Sequence, residues 1–269
     1  MVSRVLTIGL VLTVVGSAWA GVPGVDYSFG EWAADTGLSI DATYVAADGA
    51  GITKIEADDL AGMDNLETLG LGGNEIISIE TGAFSGKQNL YRFEMDPNPP
   101  LVVLNLSGAQ FRDLTFFSIR STAVDTVDLT NAQLSQLAFN GITNGGGGLR
   151  RGIASAGIIE IDFAGANLSD VEQFNMLYPA IDLQELNLAN VTFADAIVND
   201  NYDEVVQLIV SLENNDLNFL TIDMDVYTSH QSYFNDWDSV LFNELTVVPE
   251  PCTLLLIGIG GLFLRNRNT

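Results

Sequence analysis

Apolar residues recur along the middle of the chain with a spacing that predicts short strands lying side by side. Leu66, Leu69 and Leu71 form the pattern L-x-x-L-x-L, and the pattern starts again at Leu90, 24 residues later. The last two apolar positions are two residues apart, so they share one face of a short strand. We predict that successive strands pair in parallel around one apolar interior. Continued in register, the pattern has eight starts: Ala42, Leu66, Leu90, Leu114, Leu134, Ile158, Leu183 and Leu217.

Two further features repeat with these starts. A second apolar pair follows about ten residues later, at Ile52/Ile55, Ile76/Ile79, Leu101/Leu104, Val124/Val127 and Leu168/Val171. Asn74 and Asn98 occupy the ninth position of two copies. Asparagine at this point can form hydrogen bonds with backbone groups where the chain turns, a need that any buried turn has to meet.

This combination resembles a leucine-rich repeat, whose period is 20–29 residues. The resemblance covers residues 42–224. It implies an α/β solenoid with parallel strands on one face and short helices and loops on the other. A solenoid also needs capped ends, and we predict a helical N-terminal cap over 21–41 and a C-terminal cap and linker over 225–248. Ser28 and Glu31 form a capping-box pattern in the first of these.

A second register competes with the first. The segments 104–111, 127–134, 161–168 and 186–193 also look alike, with steps of 23, 34 and 25 residues. These segments resemble a parallel β-helix or the pentapeptide repeats. Both registers predict parallel strands, so the α/β solenoid prediction holds for either. An amphipathic helix is predicted over 203–212, where it accounts for the longest step in the first register.

The two ends of the chain have the character of targeting signals. Residues 1–20 combine Arg4, an apolar run and an A-x-A site, which is typical of a cleaved secretory signal. Residues 249–269 resemble the PEP-CTERM sorting tail of Gram-negative bacteria. Its parts here are the Pro249-Glu250-Pro251 motif, an apolar run over 252–264, and the basic residues Arg265 and Arg267.

The tail resemblance implies recognition and removal by an exosortase-type membrane enzyme. The apolar run of 252–264 is shorter than the ~20 residues of a stable membrane span, so it predicts a transient anchor. We expect export through the inner membrane and delivery to the cell surface or the extracellular matrix.

Charge narrows the range of functions. Of 10 basic and 35 acidic residues, Arg4, Arg265, Arg267 and Glu250 lie in the terminal segments, so residues 21–249 carry 7 against 34. Nucleic-acid binding is disfavoured because phosphate is bound by clustered Lys and Arg. One Cys and one His exclude a disulfide framework and predict no metal site built on those ligands. Calcium is the cation that this carboxylate-rich surface favours.

The leading hypothesis is a non-enzymatic module that binds a protein or polysaccharide at the cell surface. In a leucine-rich repeat the x positions of L-x-x-L-x-L project from the sheet where partners dock. These positions are Glu67, Arg92, Glu94, Ser118, Arg120, Asp128, Asp162, Asn187 and Thr221.

Two other hypotheses stay open. Glu160 and Asp162 would lie roughly 6.5–7 Å apart on one strand, in the range of a glycosidase carboxylate pair, which suits a secreted carbohydrate-active enzyme on a β-helix. The other is a structural matrix protein bridged by calcium between acidic faces.

Overall fold

The computed structural model describes residues 26–119, 122–144, 158–174, 183–213, 217–236 and 244–249. Within these ranges the fold is α/β, with several small sheets and short helices, and every strand pairing is parallel. This confirms the predicted class and the predicted direction of pairing. The signal segment, the tail from Glu250 onward, Arg120 and the Gly-rich segment 145–157 lie outside the described residues.

The first half of the repeat region builds a four-stranded sheet, which we name the N-terminal sheet. Its strands are β1 (Tyr44–Ala46), β3 (Thr68–Gly70), β5 (Arg92–Glu94) and β8 (Phe116–Ser118), each paired in register with the next. The middle residue of every strand is buried, at Val45, Leu69, Phe93 and Phe117. A two-stranded ladder of β2 (Lys54–Ile55) and β4 (Ser78–Ile79) lies on the return side of the first two turns.

A helix packs against β2, at the beginning of the two-stranded ladder. Helix α1 (Phe29–Thr36) starts at Ser28, whose hydroxyl accepts the Glu31 N–H while the Glu31 carboxylate accepts the Ser28 N–H. The predicted capping box is therefore confirmed. Phe29 and Trp32 face the core and are buried, with their rings 5.5 Å apart. Burial of this apolar face shields the first strand layer from water.

The second half builds a longer sheet of six strands, which we name the long sheet. Its strands are β6 (Val103–Asn105), β9 (Thr126–Asp128), β11 (Glu160–Asp162), β13 (Glu185–Asn187), β15 (Phe219–Asp223) and β16 (Glu244–Val248). A third ladder, the side sheet, runs beside it. It consists of β7 (Gln110–Phe111), β10 (Gln133–Ser135), β12 (Asn167–Asp170) and β14 (Thr192–Phe193).

The predicted repeat starts hold with one exception. Seven of the eight lie two residues before the first residue of a strand, whereas Leu134 lies inside β10. The residues after Leu134 form helix α2 (Gln136–Asn144) instead of the expected strand. This helix packs against β8, with Ala138, Phe139 and Ile142 buried. Gly141 permits the approach, because a Cβ there would lie 2.4 Å from the carbonyl oxygen of Leu114.

Because α2 occupies the place after β8, the later strands cannot continue the N-terminal sheet. The strands that follow the L-x-x-L-x-L pattern were expected to form one sheet, and they form two, the N-terminal sheet and the long sheet. The strand β11 pairs with β9, which the first register treated as part of the second apolar pair. The competing register describes the strands of the long sheet and the side sheet, whereas β8 still follows the first register. The L-x-x-L-x-L pattern of the long sheet starts at Leu101, Val124, Ile158, Leu183 and Leu217.

Four short helices follow β14 of the side sheet and β15 of the long sheet. They are α3 (Asp195–Asn199), α4 (Asp203–Glu213), α5 (Met224–Ser229) and α6 (Gln231–Asp236). Helix α4 confirms the helix predicted over 203–212, and Val205, Val206, Leu208 and Ile209 are buried. In the part of the chain that the structure describes, no helix has the length and apolar character needed to cross a membrane.

Candidate binding surfaces

The residues predicted to form one binding face lie on two different sheets. Asp128, Asp162, Asn187 and Thr221 are in-register neighbours on the long sheet. Arg92, Glu94 and Ser118 belong to the N-terminal sheet, and Glu67 immediately precedes β3. Arg120 and the sorting residues Glu250, Pro251, Arg265 and Arg267 lie outside the described residues, while Pro249 follows β16. Two separate surfaces therefore replace the single predicted face.

On the long sheet, the last residue of several strands shapes the turn that follows. The side-chain oxygen Oδ1 of Asn105, Asp128, Asp162 and Asn187 accepts the backbone N–H two residues later, at 2.7–3.0 Å. Three residues after each of these side chains the backbone is left-handed, with φ of 67°, 56°, 68° and 56° at Gly108, Asn131, Gly165 and Asn190. These side chains therefore serve the turn as well as the surface.

The sequence carries a signal for this turn that the periodicity analysis missed. Each instance reads Asn or Asp, then an apolar residue, then a small residue, then Gly or Asn. The last position favours Gly and Asn because other residues rarely adopt a left-handed backbone. The segment Thr221-Ile222-Asp223-Met224 departs from the pattern, and helix α5 begins there.

The other outward column of the long sheet contains three glutamates, Glu160, Glu185 and Glu244, together with Val103, Thr126 and Phe219. Glu160 pairs in register with Thr126 on one side and Glu185 on the other. Neighbouring strands lie about 4.8 Å apart, so the two glutamates are close like charges. Burial raises the pKa of Glu160, and the negative charges of Glu185, Asp162, Asp125 and Asp128 raise it further. The surface therefore has a negative potential that favours positively charged partners.

The N-terminal sheet presents a different chemistry. The Arg92 guanidinium lies 2.8 Å from Glu94 Oε1 and 4.1 Å from the centre of the Phe116 ring. Ser118 is buried, with 4% of its surface exposed, so its side chain adds little to the outer face. Arg92 is therefore held by two partners within the sheet, while Glu67 is exposed beside it.

A shallow groove of about 560 Å³ runs beside the start of the N-terminal strands. Its residues come from the same positions in successive repeats and are mostly polar. They are Thr43, Asn65, Glu67, Asn89, Tyr91 and Asp113. The amide, carboxyl and hydroxyl groups of this row suit hydrogen bonds to an extended polar chain.

The one histidine lies between two polar partners at the C-terminal end. His230 Nε2 is 2.9 Å from Asp203 Oδ1, and Nδ1 is 3.0 Å from the Ser229 hydroxyl. The Ser229 hydroxyl donates to the Val226 carbonyl at 2.8 Å, so its proton is directed away from the imidazole. A serine held in this way is not activated by its neighbouring base. The group instead connects the start of α4 to the junction of α5 and α6.

The acidic surfaces form no compact metal cage in the described ranges. No group of three or more His, Cys, Asp or Glu side chains in those ranges is arranged to hold a metal ion. The side chains of Asp128 and Asp162 each already accept a backbone N–H in a turn. The comparisons with known proteins add no family, since no family model and no curated protein matches this sequence.

Proposed function

We propose that the chain is a leucine-rich-repeat solenoid that acts as a non-enzymatic binding module. Nine segments with the L-x-x-L-x-L pattern or its variants contribute strands to parallel ladders, which supports the repeat assignment. The buried Asn74 and Asn98 support it as well, because their side chains join backbone groups of neighbouring turns. A repeat stack of this kind offers a rigid, extended surface.

The proposed destination rests on the two terminal segments. A cleavable signal at 1–20 and a PEP-CTERM-like tail at 249–269 would export the chain and deliver it to the cell surface or matrix after cleavage by an exosortase-type enzyme. Intact mass of the protein recovered from its native host tests this, with both ends expected to be missing. Persistence of residues 265–269 on the surface-exposed form would replace sorting with permanent anchoring.

The carboxylates in the two outward columns of the long sheet are the observation that carries the binding role. Glu160, Asp162 and Glu185 stand on adjacent strands in register, and burial raises the pKa of Glu160. Keeping like charges together opposes folding. A basic partner would relieve that cost, so the proposed partner is a protein with a positively charged segment.

Proximity labelling on intact cells tests the surface and identifies the partner. The wild type is compared with a double variant, Glu160→Gln with Glu185→Gln, which removes two charges and keeps the shape. The matched control is Glu75→Gln with Glu172→Gln, since both residues are exposed and lie outside the strands. We expect the labelled partner to be lost only in the first double variant. Equal labelling in all three proteins would exclude this face.

One observation favours the alternative of a carbohydrate-active enzyme. A carboxyl group with a raised pKa, such as that of Glu160, is what a general acid requires. Against this, Asp162 Oδ1 accepts the Ala164 N–H at 2.7 Å and so serves the turn. Glycan hydrolysis that disappears in both Glu160→Gln and Asp162→Asn would support the enzyme. Activity absent in the wild type would support the binding module.

A further inference from the structure

A separate pocket lies at the C-terminal end, where the long sheet meets the short helices. It has a volume of about 220 Å³ and is formed where β14, the α3–α4 connection and the β15–α5 junction meet. Its lining consists of Asn190, Val191, Phe193, Tyr202, Asp223, Asp225 and Val226. Pockets that combine apolar walls with a few converging polar groups are the usual form of small-molecule sites.

The walls of this pocket combine aromatic rings with negative charge. Phe193 and Tyr202 meet edge to face, with ring centres 5.8 Å apart at 77°. Val191 and Val226 are buried and complete the apolar part. Asp223 and Asp225 supply two carboxyl groups, and among the described residues of the lining there is no Lys or Arg to neutralise them. The Asn190 N–H donates to Asp223 Oδ1 at 2.8 Å, which fixes that carboxyl group at the pocket.

The backbone around the pocket is held in an unusual conformation. Tyr202 has a φ of 62°, in the left-handed region. The left-handed Asn190, with a φ of 56°, belongs to the turn that recurs along the long sheet. An aromatic residue rarely adopts this conformation, which carries an energetic cost. Residues held in this way are concentrated at ligand-binding sites, where the surrounding structure imposes the conformation. The left-handed backbone of Tyr202 accompanies the packing of its ring against Phe193.

We propose that this pocket binds a small organic cation, an alkylammonium group of about the size of choline. Aromatic rings attract such cations through their negative faces, and the attraction strengthens when the cation is desolvated. The two carboxyl groups supply the opposite charge. Burial, and to a lesser degree the charge of Asp225, raise the pKa of Asp223, so a bound cation would offset an existing electrostatic cost. A neutral sugar would leave that negative charge uncompensated.

The experiment titrates the full-length protein with choline and records chemical shifts by NMR. The neutral isostere 3,3-dimethylbutan-1-ol and glucose serve as comparison probes with the same protein. We expect choline to shift the Asn190 amide and the methyl groups of Val191 and Val226. Because charge supplies much of the attraction, the neutral isostere should bind at least about tenfold more weakly.

Two variants test whether choline binding requires the carboxyl groups of Asp223 and Asp225. Asp223→Asn keeps the acceptor for the Asn190 N–H, and Asp225 is exposed, so Asp225→Asn leaves the core intact. Each should weaken choline binding at least about fivefold, with Asp200→Asn as the matched control on an exposed residue outside the pocket. Equal binding of the isostere would overturn the proposal in favour of a purely apolar pocket. Binding of glucose without choline, or no shift at these residues with choline, would also overturn it.

Discussion

The N-terminal sheet and the long sheet use the same apolar pattern but complete the turn after it in different ways. In the N-terminal sheet, the buried Asn74 accepts the Ile52 N–H at 3.1 Å and donates to the carbonyls of Ala47 and Leu71 at 2.8 Å. It therefore connects one turn to the turn before it. In the long sheet, the Asn187 side chain accepts the Ala189 N–H within its own turn at 3.0 Å.

This difference determines which side chains each turn accepts. The N-terminal position needs a donor and an acceptor together, which asparagine supplies. The long-sheet position needs an acceptor alone, and it is occupied by asparagine at 105 and 187 and by aspartate at 128 and 162. Backbone bonds connect neighbouring turns in both sheets, from the Leu71 N–H to the Glu94 carbonyl and from the Leu106 N–H to the Asp128 carbonyl. In the N-terminal sheet the Asn74 side chain adds further bonds between turns.

The apolar layer is common to both sheets, so its loss should have the largest effect. Leu71 and Leu129 occupy the sixth position of the pattern in the N-terminal and long sheets, and both are fully buried. Replacement of either by alanine should lower the free energy of unfolding by about 2–5 kcal/mol, because each change leaves a cavity. Urea denaturation measures this, with the exposed Ile77→Ala as control. A loss below about 0.5 kcal/mol at Leu71 would place it outside the core.

Exchange of asparagine for aspartate separates the two kinds of turn. Asn74→Asp removes the amide donor from two buried carbonyls and buries a charge, so we expect a loss of about 2–3 kcal/mol. Asn187→Asp keeps the acceptor but places a negative charge beside Asp162, so it should cost at most about 1 kcal/mol. Urea denaturation of both variants at pH 7 provides the comparison. Equal losses would mean that the two turns do not differ as their hydrogen bonds indicate.

The sequence predicted the parts of the fold that follow from local spacing. The parallel strands, the capping box at Ser28 and the helix at 203–212 each depend on residues close together in the chain. The break between the sheets depends on how α2 packs against β8, where Gly141 meets the Leu114 carbonyl. Periodicity contains no information about that contact, so the fifth start was placed at Leu134 and two surfaces were predicted as one.

The pocket near the C-terminal helices was missed for a related reason. Its residues come from three separate segments, and Asp223 and Asp225 lie in the last of these. Nothing local in the sequence brings Phe193 and Tyr202 to them. The left-handed Tyr202 backbone, which accompanies the ring placement, also has no sequence signal of the Gly or Asn type.

Alanine substitutions in the left-handed turns of the long sheet should have a smaller effect on stability. Gly165 has a φ of 68°, and an added Cβ would lie 2.5 Å from Asn131 Oδ1. Gly108 has a φ of 67°, but its nearest neighbour would be Ser85 Oγ at 3.7 Å. Gly108→Ala should cost about 1 kcal/mol from strain alone, and Gly165→Ala about 1–2 kcal/mol. Thermal denaturation measures both. Equal losses would show that the Asn131 side chain moves away without cost.

The smallest expected effect concerns the glutamates of the long sheet. The N-terminal sheet has no such group of acidic residues, because at the matching position Arg92 lies between Thr68 and Phe116. Burial raises the pKa of Glu160 above 4.5, with a further contribution from Glu185, so the folded protein binds its proton more tightly than the unfolded chain. Between pH 4.5 and that raised pKa, the free energy of unfolding should therefore fall as pH rises.

Glu160→Gln removes the charge, so it should raise stability at pH 7 by less than about 1 kcal/mol and reduce this pH dependence. Urea denaturation at pH 4.5, 5.5 and 7 measures both effects, with Glu75→Gln as the exposed control. Destabilisation by Glu160→Gln at pH 7 would mean that the charge is compensated in the folded protein, and these glutamates would no longer favour a basic partner.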